Sequence, residues 1–147
     1  MDRHILALNP GSFTLKFGLY RISDSDAPRI RLAVAEAIGI IDRFGLPEAE
    51  LRLEINGSPQ SAIAETLGTT AESVETIIRI FTTSSSRMPS VDAIGCRVVH
   101  GGDLYTDPTR VNPEVLAGIR SLSPLAPLHN PIAADVLDAC LDRKSVV

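Results

Sequence analysis

The stretch ILALNPGSFTLKFGLY, residues 5–20, decides the fold. It begins with a short continuous apolar run, as a buried central strand requires. An Asn-Pro-Gly turn follows, which is favourable for a hairpin. After the turn, apolar residues alternate with other residues from Leu15 to Tyr20, which is typical of a half-buried strand. The pattern predicts a β-hairpin whose mouth carries more polar groups than a turn alone needs.

The rest of the first half also reads as strands. Further strands are predicted at residues 30–41, 51–55 and 91–99, although 33–37 would also suit a helix. A polar turn is expected at residues 24–28, and Asn56-Gly57 predicts a tight turn after the strand at 51–55.

Helices are predicted in the second half of the chain. Thr69 and Glu72 fit a capping box, and an apolar stripe with helical spacing follows them. Asn112-Pro113 and Asn130-Pro131 each place a good N-cap before a proline suited to the first helical turn. Strands followed by helices that alternate with a strand predict an α/β fold, a mixed sheet flanked by helices.

Size and composition exclude several classes of protein. A chain of 147 residues favours one domain that buries ~70% of its unfolded surface. The net charge of −4 and the low aromatic content argue against binding of nucleic acid. No apolar stretch is long enough for a membrane span or a signal peptide, so a cytoplasmic protein is expected. Cys96 and Cys140 favour free thiols in a reducing compartment, with a disulfide as the alternative.

The predicted hairpin mouth has the composition of an anion site. Gly11 allows close approach of the backbone to a ligand, Ser12 and Thr14 offer hydroxyl groups, and Lys16 adds a positive charge. A strand rather than a helix follows, so the stretch is not a Walker P-loop. The alternative is an ordinary hairpin turn with a solvated lysine.

A second candidate stretch is GCRVVHGGD, residues 95–103. The predicted strand would carry Arg97 and Val99 on the same side. A planar guanidinium beside a small apolar residue suits a short carboxylate or a phosphate. The alternative is that Arg97 pairs with a structural carboxylate and that His100 is an ordinary loop histidine.

A third candidate stretch is SPLAPLHNP, residues 123–131. Its three prolines stiffen a loop that holds His129 just before a predicted helix N-terminus. Such a terminus favours negative charge, and a histidine there can bond a phosphoryl oxygen. The alternative is a rigid connection with a histidine beside the cap.

The sequence holds no C-x-x-C, no H-E-x-x-H and no histidine pair at the spacing of metal ligands.

Taken together, the three stretches closely resemble the acetate/propionate kinase family. The first resembles its N-x-G-S-S-S-L-K phosphate motif, and RVVHGG and LAPLHNP resemble two further motifs in the same order. The resemblance implies the ribonuclease H-like half of the actin, hexokinase and Hsp70 ATPase superfold. It also implies transfer of the γ-phosphoryl group of ATP to acetate or another short-chain carboxylate, with Mg²⁺ as cofactor.

The resemblance assigns roles by position. Phosphate or nucleotide binding falls to Asn9, Ser12, Thr14 and Lys16, with Asn9 also a possible magnesium ligand. Catalysis falls to Arg97 and His129, and substrate binding to Arg97, Val99, Leu128 and Pro131.

The chain also departs from the family pattern. Pro10 stands where alanine is usual, and Phe13 replaces a serine and removes one hydroxyl. NPGS leans toward the butyrate kinases, which leaves that activity as an alternative. Residues 1–147 are expected to be the N-terminal domain only, without the C-terminal nucleotide-binding domain, and therefore inactive alone. The family is homodimeric, whereas this chain is expected to be monomeric. A non-catalytic remnant that binds phosphate or a partner is the other alternative.

Overall fold

The computed structural model describes residues 2–23, 32–61, 67–82 and 89–142. Its described strands form one sheet and are β1 (Arg3–Pro10), β2 (Thr14–Ser23), β3 (Leu32–Asp42), β4 (Glu50–Ile55), β5 (Ser58–Pro59) and β6 (Ala93–Cys96). The order across the sheet is β5-β4-β3-β2-β1-β6. β1 and β6 run parallel and the other neighbours run antiparallel. The prediction of a mixed sheet is confirmed.

The opening hairpin pairs in the register that its alternation predicts. Leu6 lies opposite Leu19 and Leu8 lies opposite Phe17, and all four side chains are buried. The intervening positions face the other side of the sheet because successive side chains alternate between faces. Asn9 and Lys16 are a pair of this second kind, and both are exposed.

The described helices are α1 (Thr70–Thr82), α2 (Pro113–Ser121) and α3 (Asn130–Leu141), with a 3₁₀ turn at Ser123–Leu125. The capping box is confirmed: the Thr69 N–H donates to Glu72 Oε2 at 3.0 Å, and the Glu72 N–H donates to Thr69 Oγ1 at 3.1 Å. Asn112 caps α2 as predicted, since its Oδ1 accepts a hydrogen bond from the Val115 N–H at 2.8 Å. Local sequence alone therefore determines where α1 and α2 begin.

One face of the sheet carries the main core. α1 and α3 pack against it, and α2 packs on α3 in a second, smaller apolar cluster. The fully buried Val74, Ile77 and Phe81 form the inner stripe of α1. The ring of Phe81 meets that of Phe17 edge to face, with 6.1 Å between ring centroids, and so joins α1 to β2.

Of the remaining sequence predictions, one is wrong, one holds only in part and one lies outside the described residues. Residues 33–37 belong to β3, so the helical alternative is wrong. The strand predicted at 91–99 covers only Ala93–Cys96, because β1 turns away at Pro10, which has no N–H to donate. The polar turn at 24–28 lies outside the described residues. Within the described ranges, every helix is too short or too polar to cross a bilayer.

Candidate functional site

The hairpin mouth is a tight turn at the end of β1. The Gly11 N–H donates to the Thr14 carbonyl at 2.7 Å, and the Phe44 N–H donates to the Phe13 carbonyl at 3.0 Å. Ser12 and Thr14 are half-buried, whereas the Phe13 side chain is 69% exposed. The turn is thus fixed by backbone hydrogen bonds and places two hydroxyl-bearing residues between β1 and β2.

Lys16 lies beside Asn9 on the sheet face that α1 and α3 do not cover. It forms no ion pair with any other residue that the structure describes, so its charge is open to an anionic ligand. Asn9 alone does not make a magnesium site. The ion usually takes carboxylates together with substrate phosphates, and the described residues hold no group of three histidine, cysteine or acidic side chains at ligand distance.

Arg97 follows β6 directly and lies next to the end of β1. Its N–H donates to the Leu8 carbonyl at 3.0 Å, so the parallel strands β1 and β6 bring Arg97 close to Asn9 and the hairpin turn. The guanidinium is exposed and has no carboxylate partner among the described residues. The alternative that Arg97 pairs with a structural carboxylate is therefore excluded for the described residues.

The strand that was predicted to carry both Arg97 and Val99 ends at Cys96, so that prediction is wrong. The exposure of the side chains still alternates, because Arg97 and Val99 are exposed while Val98 packs in the cluster between α2 and α3. Val98 thus anchors an irregular segment whose two neighbours face solvent.

The loop then closes on itself through His100. The Gly102 N–H donates to His100 Nδ1 at 2.9 Å, so this ring nitrogen is the acceptor. Gly102 has φ of 56°, a conformation that side-chain-bearing residues rarely adopt. The His100 ring therefore shapes the Gly-Gly turn after Arg97 through a local hydrogen bond.

His129 precedes α3 and carries an unpaired nitrogen. Its backbone occupies the N-cap position of α3, and its side chain makes no capping hydrogen bond. The ring Nδ1 is buried and has no hydrogen-bond partner among the described residues. Because buried polar atoms are nearly always paired, an unpaired ring nitrogen at a helix N-terminus suits a ligand that supplies the partner.

Asn130 was predicted as the N-cap of α3, and this is wrong. It is the first residue of the helix, and its side chain points instead to the preceding loop. Asn130 Nδ2 donates to the His100 carbonyl at 2.8 Å, and Asn130 Oδ1 accepts from the His100 N–H at 3.2 Å. Sequence reasoning missed this role because the same Asn-Pro pair at Asn112 is a true cap.

These hydrogen bonds bring the three candidate stretches to one end of the sheet. Arg97 bonds to Leu8 near the end of β1, just before the hairpin turn, and the Arg97 loop meets the start of α3 through His100 and Asn130. We call this the three-loop surface, which comprises residues 9–16, 97–102 and 123–131. Arg97, the hydroxyl groups of the hairpin turn and the N-terminus of α3 lie at this end of the sheet, whereas Lys16 lies on the sheet face that α3 does not cover.

Exposed apolar side chains surround the polar groups of this surface. Val99 is 44% exposed and Leu128 is 69% exposed, whereas Pro131 is half-buried in the first turn of α3. A groove of about 1170 Å³ runs beside β6 and includes Arg97, but neither Ser12 nor His129 lines it. The groove therefore borders the three-loop surface at Arg97, Val98 and Gly101.

The thiol beside Arg97 is neutral. Burial raises the pKa of Cys96 to about 12, with a smaller contribution from Cys140, and burial alone raises the pKa of Cys140 to about 12. Both cysteines are free, as predicted. Arg97 consequently has no thiolate next to it at physiological pH.

Substitution of Gly101 tests whether the loop after Arg97 needs its present shape. A Cβ on Gly101 would overlap the Tyr105 carbonyl oxygen, which is backbone and cannot move aside cheaply. We expect Gly101→Ala to lower the free energy of unfolding by about 1–3 kcal/mol, measured by urea denaturation.

Gly95→Ala is the matched control, because a Cβ there meets no atom within 4 Å. We expect it to change the free energy of unfolding by less than about 0.5 kcal/mol. Equal losses for the two variants would contradict the described path of the loop.

The sequence of this chain is similar to those of known proteins along nearly its whole length. The sequence model of the acetokinase family matches residues 4–145. The acetate kinase of Deinococcus radiodurans is 39% identical over 126 residues, which cover 86% of this chain and 29% of the relative. That of Caldicellulosiruptor bescii is 37% identical over 141 residues, which cover 92% of this chain and 33% of the relative.

Solved structures agree with the sequence comparisons. The crystal structure of Porphyromonas gingivalis acetate kinase matches with a TM-score of 0.78 at 27% identity, covering 97% of this chain and 35% of that one. A propionate kinase from Francisella tularensis matches in fold, with a TM-score of 0.75. These neighbours have the actin, hexokinase and Hsp70-like fold, so the predicted fold class is confirmed.

The chain spans about a third of the length of the curated relatives that it matches. The matched third contains all three motifs, in the order that the resemblance predicted. Because the family model covers residues 4–145, the chain belongs to the acetokinase family.

Proposed function

We propose that this chain is the N-terminal, substrate- and phosphate-side domain of an acetate kinase-type phosphotransferase. The reaction converts ATP and acetate, or propionate, into ADP and an acyl phosphate. The observation that supports the proposal is a pair of backbone links: Arg97 bonds to Leu8 of β1, and His100, three residues further on, bonds to Asn130, the residue after His129. Family membership and the names of the relatives support the same chemistry.

The proposed step forms one bond and breaks one bond. A carboxylate oxygen of the acceptor attacks the γ-phosphorus of ATP, and the bond from that phosphorus to the β–γ bridging oxygen breaks, so ADP leaves. Charge spreads over the three equatorial oxygens of the phosphoryl group in transit, so catalysis depends mainly on positioning and on cations and N–H donors. The three-loop surface offers groups of these kinds.

Each predicted site residue has a proposed part in this step. Arg97 holds the carboxylate or the phosphoryl oxygens through its two-pronged guanidinium, and His129 bonds the phosphoryl group at the α3 N-terminus. The backbone turn and side chains of the hairpin mouth bind the nucleotide phosphates: Asn9, Ser12, Thr14 and Lys16. The acyl tail contacts Val99, Leu128 and Pro131.

Magnesium accompanies ATP in the proposed reaction, but these residues do not build a site for it. Asn9 offers one amide oxygen and lies opposite Lys16, whose positive charge opposes a second cation. The metal therefore has no assigned role in the steps described for this chain.

A cytoplasmic location is part of the proposal, since it supplies both ATP and a reducing compartment for the free thiols.

We further propose that the 147 residues are inactive without further polypeptide. The groups proposed for the site belong to loops with exposed side chains at Arg97, Val99 and Leu128, whereas phosphoryl transfer requires groups on both sides of the phosphate and exclusion of water. With ATP, Mg²⁺ and acetate, the isolated chain should give no acyl phosphate above background when hydroxylamine is used as the trap.

Full-length acetate kinase of Deinococcus radiodurans is the positive control for that assay. Robust turnover by the isolated chain would overturn the proposed inactivity and leave the assigned reaction standing. Absence of any phosphate binding by the chain would count against the assigned function itself.

A non-catalytic remnant that binds phosphate or a partner is the second candidate. The exposed apolar side chains on the loops at this end of the sheet favour it, since such residues often mark contact surfaces: Phe13, Val99, Leu104, Leu125 and Leu128. The candidates differ when the part of the Caldicellulosiruptor bescii enzyme that lies outside the match is added. Restored turnover favours the kinase domain, and binding without turnover favours the remnant.

A further inference from the structure

Asn130 is a fully buried polar residue at the first position of α3. Its side-chain amide donates to the His100 carbonyl at 2.8 Å and accepts from the His100 N–H at 3.2 Å. The two residues are thirty positions apart in the sequence. One side chain thus satisfies both backbone groups of a residue in a different loop.

This two-point contact depends on the chemistry of the carboxamide. A side-chain amide presents a donor and an acceptor side by side, as a peptide group does, and it can therefore pair with both groups of one residue. Serine offers one short hydroxyl, and alanine offers neither a donor nor an acceptor. Only a side chain of the size and polarity of asparagine makes the contact that the structure contains.

The contact lies between the two groups that the proposed reaction uses. His129 directly precedes Asn130, and Arg97 is three residues before His100. The Arg97 N–H is itself bonded to the Leu8 carbonyl on β1. The position of His129 relative to Arg97 is consequently set through the Asn130–His100 pair.

We propose that Asn130 is the positioning residue that aligns Arg97 with His129 for one phosphate group. The inference rests on the proposed function, since it assumes that both residues contact the same ligand. Asn130 touches neither phosphate nor substrate in this role, and it acts through the backbone of His100.

The rival explanation is that Asn130 only stabilises the fold. Ser73→Ala is the matched control, because Ser73 is also fully buried and its Oγ donates to the Leu67 carbonyl at 3.1 Å. This bond lies at the start of α1, outside the three-loop surface. Removing it costs one buried side-chain-to-backbone hydrogen bond without altering the Arg97 loop.

The experiment compares phosphate binding by the wild-type chain, Asn130→Ala and Ser73→Ala, each at a temperature where it is folded. Inorganic phosphate is titrated while NMR follows the Arg97 side-chain N–H and the His129 ring. We expect Asn130→Ala to weaken binding by at least about tenfold, because small displacements of positioned groups are costly. Ser73→Ala should stay within about twofold of the wild type, as expected for a distant site.

Hydrogen exchange at the His100 amide provides a second signal. Exchange should accelerate in Asn130→Ala, which lacks the accepting oxygen, and remain unchanged in Ser73→Ala. Should Asn130→Ala fail to fold, Asn130→Ser replaces it, since its hydroxyl is too short to pair with both His100 groups. The same loss of phosphate binding is expected.

The outcomes separate two failures. If the wild type binds phosphate and Asn130→Ala binds equally well, or weakens only as much as Ser73→Ala, the positioning role is overturned and the proposed function survives. If the wild-type signals do not respond to phosphate, the proposed function itself is overturned.

Discussion

Replacing Arg97 with alanine is expected to weaken the binding of inorganic phosphate by about 100-fold, the loss expected for two charge-assisted hydrogen bonds. The guanidinium is exposed and unpaired among the described residues, so stability should barely change. Arg97→Lys should still lose most of the affinity, because a single ammonium cannot bond two oxygens in one plane. Equilibrium titration with phosphate, followed by NMR, measures the effect.

Arg3→Ala is the control for the loss of charge. Arg3 is exposed and begins β1, whereas the hairpin turn follows the other end of the same strand, roughly 20 Å away. The two substitutions change the net charge equally, so general electrostatic attraction would be lost to a similar extent in both. Equal affinities for Arg97→Ala and Arg3→Ala would remove Arg97 from the proposed site.

Phe81→Ala is expected to lower the free energy of unfolding by about 3–5 kcal/mol. Phe81 is 1% exposed, lies in the main core and packs edge to face on Phe17. Its loss leaves a cavity between α1 and β2 in a domain whose total stability is typically only about 5–15 kcal/mol. The midpoint of thermal unfolding should fall by roughly 10 °C, as followed by circular dichroism.

Phe13→Ala is the matched control for this substitution. It removes the same side chain from the hairpin turn, where the ring is 69% exposed, and should change stability by less than about 0.5 kcal/mol. A loss for Phe81→Ala no larger than that for Phe13→Ala would mean that α1 does not pack on the sheet as described.

The features that sequence patterns predicted correctly are local ones. The capping box of Thr69 and Glu72 closes within four residues, and Asn112 bonds an N–H three residues away, so both were readable from neighbouring letters. The alternation in β2 was equally informative, because its period of two matches the geometry of a strand with one buried face.

The features that the sequence did not predict depend on distant partners. Asn130 has the same proline after it as Asn112, yet its side chain pairs with a residue thirty positions away. Likewise, β6 ends early because its partner β1 turns at Pro10, a limit that the letters of 91–99 do not contain. The sequence motifs identified the three loops as candidates, but the hydrogen bonds that connect these loops join residues far apart in the sequence.

The central claim is that the loops carrying Ser12, Arg97 and His129 form one surface for one phosphate-containing ligand. The most direct test is a titration with acetyl phosphate in which NMR follows the backbone amides of these three residues. A single shared dissociation constant is predicted for all three signals. Responses at clearly different concentrations, or from one loop alone, would contradict it.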